Sequence, residues 1–451
     1  MRYIDKDLDS IQEIRNLLLN AQLSFVQLQK LTPKEFDNYC ESFIHKVREG
    51  ALEAIAHFVV GSGYGSVEDE CAYCNQFLNR FAQTHQKENF LGMVKGDEDD
   101  KVMTIGVSLG VVAVLLPSHP TYSLLVNLLL LALKSGNAMI FVANAQSKKA
   151  SLEALKQLIH VVEEEGYPQG ALTIAETVSD ASISELLASD KVALILNIGC
   201  PQFISDRFCS NIPTLYGGEA SGPVFIERTA NVDKAIQNVI VSRSFNHGIL
   251  PGSEQFLVTE HCIADKIKAS MTNHGAYLLN QQETQQLIAF IKVSSKNLTT
   301  NYVGQSALWL AKMSGIEVPE KTKVLVSVQD YMSEEDFFNR QLLCPIIVVY
   351  CEPDWTLACG KCMSILAELR MGHTLTIHSR NWRVIKEFAM QKAVGRIVVN
   401  APTVTAATGI STAFDPSLVL GGLTTKRGYG SENITPKHLT YIRQVGFSVE
   451  E

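Results

Sequence analysis

The sequence predicts an α/β protein built from two α/β domains with parallel-type sheets, plus a β-hairpin. Three observations predict it. From residue 110 onward, short runs rich in Val, Ile and Leu alternate with amphipathic stretches, the rhythm of a parallel sheet covered by helices on both faces. The rhythm pauses at a turn-rich loop, "SFNHGILPGSEQ" (244–255), and then resumes, so two such blocks meet near this loop. Before both blocks stand a helical preface and two short runs around an acidic turn.

Taken in order, residues 5–90 read as helices. Apolar positions recur at helical spacing through "IQEIRNLLLNAQLSFVQL" and "FDNYCESFIHKVREGALEAIAHFVV". "NFLGMVKGDEDDKVMTIGV" (89–107) reads as a hairpin. The first block offers strands "GVVAVLL", "NAMIFVA", "KVALILNIG" and "GPVFIE", with helices such as 147–165 between them. Its most apolar run, "LLVNLLLLALK" (124–134), is too short to span a bilayer and is interrupted by Asn127. It predicts a buried helix. The second block offers "EQFLVTE", "KVLVSV", "CPIIVVY", "HTLTIHS" and "GRIVVNAP".

Composition excludes several classes. The 451 residues are 46% hydrophobic and 19% charged, with a formal net charge of −8. No basic surface is available for nucleic acid or an anionic membrane. The first residues are charged and amphipathic, without a signal-peptide core. Ten cysteines without an export signal fit a reducing cytoplasm. The pairs Cys71/Cys74 and Cys359/Cys362 lie in helix-like segments with no further ligand at metal spacing. No metal site is expected.

Four stretches carry the functional signal. "GVVAVLLPSHPTYS" (110–123) places a Pro-Ser-His-Pro loop between a strand and a helix, with Pro120 suited to the first helical turn. "KSGNAMIF" (134–141) is a turn into a strand, "SRSFNHGILPGSEQ" (242–255) joins the blocks, and "PSLVLGGLTTKRGYGSENITPKHL" (416–439) follows them. Their order and spacing resemble the aldehyde dehydrogenase superfamily. Within it they are nearest the CoA-acylating branch: acetaldehyde and propionaldehyde dehydrogenases, and the N-terminal half of bifunctional aldehyde–alcohol dehydrogenases. Ser431–Leu439, "SENITPKHL", and Gly372-His373-Thr374 favour that branch.

The resemblance implies an aldehyde dehydrogenase-like α/β fold. A cofactor-binding, Rossmann-like domain would occupy 1–238, with the hairpin at 89–107 serving dimerisation. A catalytic-type α/β domain would follow at 239–404, and 405–451 would return to the first domain. The end of that return, "LTYIRQVGF" (439–447), would be a dimerisation strand, since it makes a poorly protected edge in a monomer. The implied chemistry is attack of a cysteine thiolate on an aldehyde, hydride transfer to NAD or NADP, and release of the acyl group to CoA.

The site departs from that pattern. The branch's loop reads Ser-x-Thr-Phe-Asp-Asn-Gly-x-Ile-Cys-x-Ser-Glu-Gln, and laid on this chain without gaps its cysteine falls on Pro251. Proline has no sulfur to attack a carbonyl. It also has no N–H to serve as an oxyanion donor. The family's asparagine donor becomes His119, in a loop one residue shorter, and its Asp-Asn pair becomes Asn246–His247. A glutamate on the nicotinamide ribose becomes Gln341, and a His-Pro pair beside the adenosine becomes Asn144–Ala145. Gly199 persists but Cys200 replaces the next glycine, and "YGGEASGP" keeps Gly218 while Ser221 replaces an asparagine. Scaffold positions Gly136–Asn137, Gly248, Ser253–Gln255, Asn400 and Pro402 persist.

The expected catalytic positions are therefore Pro251, without its thiol, and His119 and His247, which could face one another across the cleft as acid and base or bind a ligand anion, against each simply capping or filling its loop. The cofactor side would comprise Ser118, Asn144, Gly199, Cys200, Gly218 and Gln341, with NAD or NADP held more weakly and CoA implied by resemblance alone. Cys344, Cys200 and Ser253 are candidates for a relocated nucleophile, against a plain packing role. Two functions remain: an oxidoreductase working through relocated groups, or a non-catalytic regulatory or structural partner of an active relative. Either would be a cytoplasmic homodimer or assembly of dimers.

Overall fold

The computed structural model describes residues 5–86, 88–97, 100–144, 149–200, 203, 211–217, 222–250, 252–294, 302–332, 337–369, 374–391, 394–422 and 430–448. Three helices open the chain: α1 (Lys6–Leu28), α2 (Pro33–Ser62) and α3 (Val67–His85). Their starts are written locally. Thr32 and Glu35 form a capping box with Pro33 at the first helical position, and Ser66 caps α3. The hairpin follows as β1 (Gly92–Lys95) and β2 (Val102–Ser108), paired antiparallel.

The first block then runs β3 (Val111–Leu115), α4 (Tyr122–Ser135), β4 (Ala138–Val142), α5 (Lys149–Glu164), β5 (Leu172–Ala175), α6 (Asp180–Ala188), β6 (Val192–Ile198) and β7 (Thr214–Gly217). Its five strands make a parallel sheet in the order β5-β4-β3-β6-β7. Every residue of α4 is buried, as a helix apolar on all sides requires. Among the described residues, no helix is long and apolar enough to cross a membrane, and no cluster of three His, Cys, Asp or Glu could hold a metal.

The second block runs β8 (Pro223–Ile226), α7 (Val232–Ser244), β9 (Phe256–Glu260), α8 (Ala264–Asn273), β10 (Ala276–Leu278), α9 (Gln281–Ser294), α10 (Ala307–Met313), β11 (Val324–Gln329), β12 (Ile346–Glu352), α11 (Trp355–Leu369), β13 (Thr374–His378), α12 (Trp382–Gln391) and β14 (Arg396–Val399). These strands form a parallel sheet, β10-β11-β12-β9-β8-β13-β14. Side chains alternate between its faces. Val224 and Ile226 join a core with Ile236, Val239 and Met271, while Phe225 stacks on Phe388 at 4.9 Å.

The crossing between the two sheets comes before α7. Strand β8 pairs with β9 and β13, so the chain leaves the first sheet between Gly217 and Pro223, before α7. After β14 it returns: Val404, Leu418, Val419, Ile434 and Leu439 enter the first core. The last strand, β15 (Thr440–Gly446), pairs with β2. The resulting sheet, β1-β2-β15, leaves Met93, Val94, Val102, Tyr441 and Ile442 exposed.

Candidate active site

The loops at the carboxyl ends of β3, β6 and β7 meet the 245–250 loop around a cavity of about 700 Å³, its open mouth included. Carboxyl ends of parallel strands are where such sheets bind ligands. Leu124, Ile198, Ile249, Leu250, Leu343 and Leu418 wall it, and Ser118, His119, Thr121 and Gln341 are among its polar lining groups. A mostly apolar pocket with a few placed polar groups suits a small organic ligand.

Four of the predicted residues, Ser118, His119, Gly199 and Gln341, line this cavity together. Ser118 and His119 sit between β3 and α4, where Thr121 caps the helix by accepting the Leu124 N–H at 3.2 Å. The Ser118 hydroxyl lies 2.9 Å from His119 Nδ1. The His119 ring stands edge-on to Tyr64, 5.4 Å between centroids, and the Tyr64 hydroxyl donates to the Pro120 carbonyl at 2.7 Å. Gln341 is presented by an anchored segment. Gln255 donates to the carbonyls of Phe338 (3.0 Å) and Arg340 (2.8 Å) and accepts the Leu342 N–H at 2.8 Å.

His247 is not brought to His119. Its backbone is left-handed (φ 53°, ψ 32°), which turns the ring so that Nδ1 hydrogen-bonds the Gly304 carbonyl at 3.0 Å. This contact fits the alternative in which His247 fills its loop, and His247 does not line the cavity. Asn144 and Cys200 meet each other, Asn144 Nδ2 lying 4.0 Å from Cys200 Sγ. Pro251, Gly218, Ala145, Ser221, Gly372 and His373 lie outside the described residues.

The candidate relocated nucleophiles are packed groups. Cys344 is fully buried, and burial pushes its thiol up to about 12. Cys200 is buried, with its thiol donating to the Leu116 carbonyl at 3.0 Å. Ser253 is buried and its hydroxyl accepts from Arg243 Nη1 at 2.9 Å. None of the three lines the cavity.

Other contributors were not named individually from the sequence. Tyr73 reaches the cavity from α3, and Leu418 and Leu420 reach it from the returning segment. Glu70, also on α3, is buried and accepts from Ser123 at the start of α4 and from Asn246 in the loop. These residues are distant in sequence, so only the tertiary fold assembles them.

Comparison with known proteins places these features. The model of the aldehyde dehydrogenase family matches residues 9–414. An aldehyde-alcohol dehydrogenase of Clostridium acetobutylicum is 26% identical over 430 residues, 92% of this chain and 49% of that protein. The chain thus spans about half the length of that relative. An acetylating succinate-semialdehyde dehydrogenase of Clostridium kluyveri is 24% identical over 439 residues, 97% of this chain and 96% of that one. Among solved structures, an acetylating aldehyde dehydrogenase from Geobacillus thermoglucosidasius superposes with a TM-score of 0.91 at 32% identity, covering 99% of each chain.

Proposed function

The chain belongs to the aldehyde dehydrogenase family, and from that premise we propose that it retains the ligand cleft of the CoA-acylating branch without that branch's acyl-transfer chemistry. Its role is then a non-catalytic one, as a binding or regulatory partner of an active relative. One observation carries the reading. The loop that resembles the nucleophile loop has proline at position 251, and no described residue lining the cavity is a cysteine. Attack on a carbonyl needs a thiolate within reach, and the developing oxyanion needs donors. Losing one such donor alone costs about a hundredfold to a thousandfold in turnover.

A nicotinamide dinucleotide fits part of what remains. The Ser118 hydroxyl and the Gln341 amide line the cavity beside Gly199 and would hydrogen-bond a ribose, with a neutral amide where the family pattern carries a carboxylate. When bound, such a cofactor supplies hydride acceptance. Retained binding without turnover is the expected behaviour. A second reading, an oxidoreductase acting through relocated groups, is favoured by the 2.9 Å contact of Ser118 with His119 in the cleft.

One experiment separates the two readings. Homogeneous protein is incubated with NAD or NADP, CoA and acetaldehyde or propionaldehyde, and NAD(P)H is followed by absorbance. Thermal shift with the same nucleotides and acyl-CoA compounds reports binding. A raised Tm without turnover is the result expected. Robust CoA-dependent NADH formation overturns the proposal.

A further inference from the structure

The loop around the proline position is held by one buried carboxylate. Asn246, His247 and Gly248 are three consecutive left-handed residues, with φ of 48°, 53° and 71°. Two of them are not glycine, and such backbone persists only where its surroundings over-determine it. Asn246 supplies that determination. Its N–H donates to Asp69 Oδ2 at 2.8 Å, its Oδ1 accepts the Ser66 N–H at 2.7 Å, and its Nδ2 donates to Glu70 Oε2. Gly65 leaves room for this, because a Cβ there would stand 2.6 Å from Asn246 Oδ1.

Glu70 works on both sides of the cleft. While Oε2 takes the loop, Oε1 accepts the N–H and the hydroxyl of Ser123, each at 2.7 Å. Ser123 lies in the first turn of α4, between Thr121 and Leu124, which line the cavity. The loop side contributes Ile249 and Leu250 to the same cavity. We infer that Glu70 is a positioning residue that sets one wall of the cleft against the other, and that Asn246 is the loop residue its carboxylate requires.

The chemistry of the pair explains the choice of Asn. An aspartate at 246, as in the loop pattern quoted above, would remove the Nδ2 donor and press a second carboxylate against Glu70 in a site closed to water. Buried like charges in contact cannot both ionise. The titratable groups acting on Glu70 are Asp69, Cys71, Tyr73 and Cys74 on α3, Tyr64 before it and Tyr122 on α4. None of these is a cation. Asn246 is thus matched to Glu70, and the cleft keeps its geometry although position 251 has lost its thiol. The inference concerns loop geometry and holds whether or not acyl transfer survives.

The test is a swap of donor and acceptor, read by hydrogen–deuterium exchange of peptides covering 244–250 and 121–126. A peptide of β12, remote from the loop, serves as internal reference. Asn246→Asp should speed loop exchange about tenfold at pH 8, and less at pH 5, where one proton can be shared. Glu70→Gln should also speed it, at both pH values, because the new amide faces the Asn246 amide donor to donor. The double variant Glu70→Gln/Asn246→Asp restores the bond in reverse, the introduced amide on α3 donating to the introduced carboxylate in the loop. It should return the loop to near wild-type exchange at both pH values. Should Asn246→Asp fail to accumulate folded, recovery of folded protein in the double variant is the expected readout. A double variant no better than the worse single, or singles that leave both peptides unchanged, would overturn the assignment.

Discussion

Gly248 offers a quantitative test of how the loop is packed. Its φ is +71°, and a Cβ added there would stand 2.8 Å from the Cys344 carbonyl carbon, 2.9 Å from its oxygen and 3.0 Å from the Arg243 oxygen. All three are backbone atoms, so no side chain can swing away. The neighbours are also anchored, since Arg243 donates through Nε to the Ile346 carbonyl at 3.0 Å and through Nη1 to Ser253. Gly315 makes the control: its φ is +72°, and nothing lies within 4 Å of the same added atom. Gly315→Ala should lose only the cost of a left-handed alanine, about 1 kcal/mol. Gly248→Ala should lose that and a forced backbone displacement of about 1–3 kcal/mol, roughly 2–4 kcal/mol in all. Urea unfolding followed by circular dichroism gives both numbers, provided the m-values agree. Equal losses, within about 0.5 kcal/mol, would refute the claim that the loop is locked against the 342–346 segment.

Pro251→Cys alone should leave CoA-dependent activity near background, because His119 and Gln341 still stand where the family pattern has an amide donor and a carboxylate. A single-turnover burst of NADH near one equivalent would show that only the nucleophile was missing. His378 is buried with Nε2 unpartnered, and burial pushes its imidazole down to about 4 from the ordinary 6.5. The folded state resists a proton that the unfolded chain accepts. This stability is therefore complete above pH 6.5 and falls, by up to about 3 kcal/mol, as pH drops toward 4. His378→Leu should flatten that part of the Tm–pH profile, and parallel profiles would count against it. Light scattering at micromolar concentration should find a dimer or larger assembly, since the β1-β2-β15 sheet exposes Val102, Tyr441 and Ile442. A monomer would refute this.

Much of the fold was legible because burial and sequence pattern coincide. Strands β3 and β4 are buried at every position, and so appear as unbroken apolar runs. Strands β5, β7 and β10 have three or four residues, too few to show any period. The sheet that β8 joins is a property of its partners, Val224↔Leu257 and Thr376↔Val224, and no local pattern encodes it. The same limit governs the site. Ser118, His119, Gly199 and Gln341 were found through the resemblance to the family's pattern, whereas Tyr73 and Glu70 come from a single helix, α3, outside the stretches that carry it. The contact of His247 with the Gly304 carbonyl depends on its left-handed φ and ψ, which the residue type alone does not fix.

The altered positions also bear on whether the cleft is kept or is decaying. A decaying site accumulates buried polar groups without partners, each costing about 1–3 kcal/mol. Here two of the altered positions, Cys200 and Asn246, have their polar groups paired. Cys200 gives its thiol proton to the Leu116 carbonyl, while its N–H and carbonyl pair with both ends of the Asn197 amide at 3.0 Å each. Asn246 has all three of its bonds, and the His119 ring is held by Ser118 and Tyr64. Among the described residues, Asn127, Tyr167 and His378 carry unpartnered buried side-chain atoms away from the cavity, while Glu254 Oε2, in the loop just after position 251, is also unpartnered without lining the cavity. The paired groups at Cys200 and Asn246 support the proposal that the cleft is kept for binding.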